Sequence, residues 1–182
     1  MSGTQVNINE LKGDINNIES PELKVDSIIN KIISDISQVN VKIDIRDRSF
    51  PSQVIKKIEH NQLKNKRSII QQYKVYSSHI ESAYNIAEKN IINGKQSAML
   101  ILNDMYIKSL NKFNIDYYSP DMELIHNNAD NIIDDVIKQL NKFLYSSANV
   151  SFSKEQMLIG INVVVAHAFV ECYVLENPND SN

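Results

Sequence analysis

His167 and Glu171 stand four residues apart in the segment EQMLIGINVVVAHAFVECYVLENP, so a helix would bring an imidazole and a carboxylate to one face. Those residue types suit half of a metal site or an acid–base pair. A zinc site usually takes three or four ligands. His60, His79 and His126 could come from other elements, but no spacing in the chain demands it. The pair is therefore read as a buried polar couple that satisfies itself and fixes the register of its helix. Cys172 lies beside it, with no neighbouring base or oxyanion donor, and reads as a small core residue rather than a nucleophile. The residues point to no catalytic, metal or cofactor-binding set, and the expectation is a protein that is not an enzyme.

The second group with chemical potential is basic. Lys56, Lys57, Lys64, Lys66 and Arg67 place five cations within twelve residues, against Glu59 alone. Such a patch could touch nucleic-acid phosphates. It has neither the interleaved aromatics of a single-strand platform nor a clear Gly turn between two short helices, so an acidic protein partner or a solvated face is the favoured reading. The whole chain supplies no field to help: net charge is −3 and the isoelectric point is near 5.8.

These residues need elements to position them, and composition says which kind. With 182 residues the chain has material for one domain with a real core. Only four Gly and four Pro stand against 42% hydrophobic residues, too few breakers for an all-β fold. An all-α, multi-helix bundle follows. A single Cys rules out an internal disulfide and fits a reducing cytoplasm. The start, MSGTQVNINELKGD, is polar and acidic, unlike an export signal, and no membrane attachment is indicated.

Along the chain, residues 1–20 read as a flexible arm, and 21–48 as an amphipathic helix followed by a linker. The helix starts at Pro21 and carries Val25, Ile28, Ile29, Ile32, Ile33, Ile36 and Val39 on one side. That stripe needs burial, either on the bundle or across a symmetric dimer. The alternation in residues 41–46 suits a short strand or an extended connection. A helical domain then occupies 49–178. Its first long helix opens at Ser49-Phe50-Pro51, breaks near His60–Lys66 and resumes toward Asn93-Gly94. Ile69, Tyr73, Tyr76, Ile80, Ala83 and Ala87 give it the heptad spacing of a helix–helix seam. Further helices cover about 95–113, with Met99, Leu102, Met105, Tyr106 and Leu110 inward, and the run carrying Ile132, Ile133, Val136, Ile137, Leu140 and Leu144; residues 114–128 form the longest irregular connection. The segment from Glu155 to Pro178 is apolar on nearly every side, with Asn162, His167 and Glu171 as its polar exceptions, and is expected as the buried central helix.

Two stretches carry a family resemblance. The run K-I-E-x-N-x-L at Lys57–Leu63 and the closing A-F-x-x-C-x-x-x-E-N-P at Ala168–Pro178, with Tyr73 and Tyr106 between them, resemble the C-terminal domain of effector proteins of ABC-three-component systems. Those bacterial conflict systems are similar to the Lamassu antiphage systems. The resemblance covers about residues 50–178. It implies a cytoplasmic interaction or adaptor subunit that docks onto an SMC-like ABC ATPase, or onto an effector or middle component. Contact with DNA would be indirect, through the ATPase. About fifty residues precede the resemblance, too few for the toxic domain such effectors usually carry, which implies a docking module or an accessory subunit. The other reading is a small nucleic-acid-binding regulator that uses the basic cluster.

Overall fold

The computed structural model describes residues 27–38, 50–147 and 152–179. Six helices account for its architecture: α1 Ile28–Ser37, α2 Ser52–His60, α3 Arg67–Asn90, α4 Gly94–Lys112, α5 Met122–Tyr145 and α6 Lys154–Val170. No strand occurs among the described residues. The strand or linker expected at 41–46 lies outside them, as do the arm at 1–20, Pro21, Val25, Val39 and Ser49.

Helix α1 begins at Ile28, because the Ser27 side chain accepts a hydrogen bond from the Asn30 amide at 3.3 Å. Its apolar stripe, Ile29, Ile32, Ile33 and Ile36, is buried against α3 and α6, which joins α1 to the single core. The close approach has a sequence cause. A Cβ built on Gly160 of α6 would sit 2.4 Å from Cγ2 of Ile33, so only glycine admits α1 at this depth.

The break within the long second helix falls where the stripe lapses. Asn61–Lys66 separate α2 from α3, and Asp130 of α5 supplies the cap that α3 lacks locally: its carboxylate accepts from the amides of Lys64, Asn65 and Lys66 at 2.9–3.2 Å. Tyr76, Ile80, Ala83 and Ala87 of the heptad stripe are buried, with Tyr73 and Ile69 at its edge. Helix α5 starts earlier than its apolar run suggested, at Met122, because Asp121 caps the amides of Glu123 and Leu124. The irregular connection after α4 shrinks accordingly.

Helix α6 packs against α1, α3, α4 and α5, and Ile161, Val163, Val164, Val165, Ala168 and Phe169 are buried. It is shorter than its composition suggested. The helix stops at Val170, Glu171 is its C-cap, and Cys172 turns left-handed at φ 64°. The Tyr173 amide then reaches back to the Ala168 carbonyl at 2.9 Å and the Cys172 amide to that of Phe169 at 3.3 Å. This is a Schellman motif with cysteine in the place glycine usually takes. Helices α2 and α4 end the same way, with Gln62 and Asn114 at positive φ and Leu63 and Ile115 buried behind them. No glycine among the described residues has a positive φ.

Candidate functional site

The chain after α6 runs back over α2 and α4, and the contacts that hold it join the two stretches singled out in the sequence. Asn61 is fully buried at the end of α2. Its Nδ2 donates to the carbonyls of Lys57 at 2.9 Å and Glu176 at 2.8 Å, while its Oδ1 accepts from the Glu176 amide at 2.9 Å. The side chain thus imitates a strand partner for Glu176. From α4, Asn103 donates to the Tyr173 carbonyl at 3.0 Å and the Tyr106 hydroxyl donates to the Glu176 carboxylate at 2.5 Å. Burial first, and then the Glu176 charge and hydrogen bond, push the Tyr106 phenol far above its ordinary pKa, so it remains a donor. Lys57 is only 3% exposed, with its ammonium 4.8 Å from the centre of the Phe169 ring.

A second cluster surrounds His167. The buried imidazole places Nε2 2.9 Å from Glu81 Oε1 of α3 and 3.9 Å from Glu171 Oε1. Lys95, at the start of α4, lies 3.2 Å from both Glu81 oxygens and 4.0 Å from Glu171. The rings of Tyr73 and Tyr84 flank the imidazole at 5.5 and 5.0 Å. Burial is the largest influence on His167 and pushes its pKa down, against the upward pull of the Glu81 hydrogen bond and the two carboxylates. The ring is therefore neutral at neutral pH. Because a carboxylate only accepts, Nε2 must carry the proton; Nδ1, buried without a partner, holds the lone pair. Burial of Glu81 would raise its carboxyl pKa, but hydrogen bonds from His167 and Lys95 outweigh that and hold it below the ordinary value.

The buried couple expected at His167 and Glu171 is thereby corrected. Glu171 sits at the C-cap with 38% of its side chain exposed, and the direct partner of His167 is Glu81. Cys172 is likewise exposed rather than in the core, because the left-handed turn carries it outward. Sequence reading passed over Glu81 and Lys95. Local spacing carried no signal for Glu81: one place after Ile80 it lies off the heptad stripe, and its partner His167 is 86 residues away.

Among the described residues, Glu81, His167 and Glu171 form the group able to converge on a metal ion, their ligand atoms lying within 4.8 Å of one another. Metal–ligand bonds of about 2.0–2.2 Å would need that set to contract. The Lys95 ammonium already stands between the carboxylates, so the arrangement works as a lysine-neutralised network that ties α3, α4 and α6 together. The other histidines serve elsewhere. His126 links the α2–α3 turn to α5 through the His60 carbonyl at 2.9 Å and Gln62 at 3.0 Å, and His79 meets the Tyr76 ring edge-on at 6.5 Å between centres.

The basic cluster is not a uniformly exposed patch. Lys57 is buried, Lys66 pairs with Asp134 at 2.5 Å, and Arg67 donates to the Leu63 carbonyl at 2.6 Å; Lys56 and Lys64 are exposed on different turns. The helix break and the Asp130 cap divide the run that looked continuous in sequence.

Residues 27–176 match the model of a family described as C-terminal domain 10 of the ABC-three component systems. The chain belongs to that family. Membership begins at α1 and not near residue 50, in keeping with the burial of α1 in the common core, and it ends at Glu176, where α2, α4 and the tail meet. No curated protein and no solved structure matches this C-terminal domain 10 chain. Among its described residues, no helix is long and apolar enough to cross a membrane.

Proposed function

We propose that this domain is the docking module of an ABC-three component assembly of the antiphage, Lamassu-like kind: a non-enzymatic adaptor in the cytoplasm that binds an SMC-like ABC ATPase or an effector or middle-component partner. The observation that carries the reading is family membership across all six helices. The site geometry supports it from the other side. The residues with catalytic potential, His167, Glu81, Glu171 and Lys95, are spent on one another as links between helices. Reading the chain as a nucleic-acid-binding regulator draws less support, because its basic residues are divided among buried, paired and exposed positions. Any effect of DNA would reach this module through the ATPase. A homodimer is a compatible arrangement.

The test is capture of the tagged chain after co-expression with the proteins encoded beside it. Recovery of the ATPase or another component in stoichiometric amount is expected. A chain recovered alone, or one that by itself hydrolyses a substrate, would defeat the reading.

A further inference from the structure

Tyr118, in the connection from α4 to α5, is 92% exposed, more than any other aromatic among the described residues. Its neighbours hold it there. Asn114 turns the chain out of α4 at φ 57°, and Ile115 is buried behind the turn. The Asp116 carboxylate accepts from the Tyr118 amide at 2.9 Å. The Tyr118 ring meets Tyr117 edge-on at 5.3 Å between centres, and Tyr117 meets Tyr106 in the same way at 6.4 Å. Tyr106 is buried, with its hydroxyl on Glu176. A file of three tyrosines thus runs from the tail contact out to solvent. A ring held in this way loses little freedom on binding, and tyrosine is among the residue types that dominate interface energies.

Charge sets the kind of partner. From Phe113 to Ile125 the sequence carries Asp116, Asp121 and Glu123, all exposed, and no Lys, Arg or His. The lysines just before it are engaged, Lys108 with Asp104 and Lys112 with Asp135, each at 2.5 Å. Those three carboxylates equal the net charge of the whole chain, −3, so the remainder balances and the excess sits around Tyr118. We infer that this α4–α5 tip is an interface anchor: Tyr118 enters a pocket on a protein partner whose rim carries arginine or lysine. A cation of that kind is attracted to the ring face and pairs with the flanking carboxylates. Sign disfavours the polyanions, since nucleic acid or an anionic lipid surface would be repelled here. The inference rests on the docking reading and gives it a contact point.

The experiment captures the full chain by an N-terminal tag and measures the binding of each protein encoded beside it by interferometry. Tyr118→Ala should weaken binding about tenfold or more at an unchanged melting temperature, whereas Tyr118→Phe, which keeps the ring, should stay within about twofold. Asp116→Asn combined with Glu123→Gln removes two charges and leaves an acceptor for the Tyr118 amide; it should slow association and flatten the dependence on salt. Binding that Tyr118→Ala leaves unchanged would place the contact elsewhere and overturn the inference. Weakening by Tyr118→Ala with no response to the charge variant or to salt would overturn the basic partner. Dimerisation of the chain alone that Tyr118→Ala abolishes would assign the tip to a second copy, and duplex DNA binding lost with the same change would assign it to nucleic acid; either overturns the assignment. If no protein encoded beside the chain binds the wild type, the docking reading itself fails. If one binds and tolerates every tip variant, docking stands and this contact alone falls.

Discussion

Replacing Asn61 isolates the link between α2 and the tail. Its side chain makes three hydrogen bonds of 2.8–2.9 Å in a site closed to solvent, two of them to the backbone of Glu176. A typical intramolecular hydrogen bond contributes about 0.5–1.5 kcal/mol net, and a buried backbone group left without a partner costs about 1–3 kcal/mol. Asn61→Ala strips all three bonds and orphans the Glu176 amide and carbonyl, so a loss of about 2–4 kcal/mol is expected. Asn61→Asp keeps the shape and the acceptor but turns a carboxylate oxygen toward two carbonyls, and should cost at least as much. Urea unfolding measures the loss, and hydrogen exchange at the Glu176 amide reports the tail directly. Both variants should lower the midpoint at unchanged m-value and speed exchange at that amide. A loss below about 0.5 kcal/mol with a still-protected Glu176 amide would refute the reasoning, since water would then be satisfying groups assigned to Asn61.

Other outcomes follow from the same contacts. Gly160→Ala should destabilise by about 1–2 kcal/mol in thermal melts, the overpacking against Ile33 exceeding the helix-propensity gain, and should become neutral or stabilising on an Ile33→Ala background. Cys172→Gly, at φ 64°, should raise stability by about 1 kcal/mol by relieving a left-handed non-glycine residue. The folded pKa of His167 lies below its ordinary 6.5, so the unfolded chain takes up the proton first. Stability should therefore hold above about pH 6.5 and decline as pH falls toward the folded value. The depressed Glu81 carboxyl adds a second loss below its ordinary 4.5. His167→Gln should flatten the upper part of that profile in melting temperatures measured across pH.

Helix existence and the inward faces of α3, α4 and α5 were legible because they depend on local periodicity: Ile80, Ala83, Leu102, Leu110, Ile132 and Leu140 are all buried where their spacing puts them. Ends were less legible. Three helices terminate through Gln62, Asn114 and Cys172 in the left-handed region, and none of these carries the glycine signal that marks such an end. Composition alone ran α6 on through Glu171 and Cys172 toward Pro178. The site was legible only in part, because its partners come from different helices. His167 announced a buried polar group, but its partner Glu81 lies 86 residues away, and nearest-neighbour spacing pointed instead to Glu171. Lys57 shows the converse: a lysine in a basic run reads as solvent-facing, yet it is buried with its ammonium over the Phe169 ring of α6.

The docking claim is tested most directly by reconstitution. The purified chain is mixed with the ABC ATPase and the remaining proteins encoded beside it, and the mass of each eluting species is read by light scattering. The account predicts that this 20.8 kDa chain elutes in a complex of defined stoichiometry with at least one of them. Elution of the chain at its own mass or as a dimer, in the presence of every other component, would contradict it.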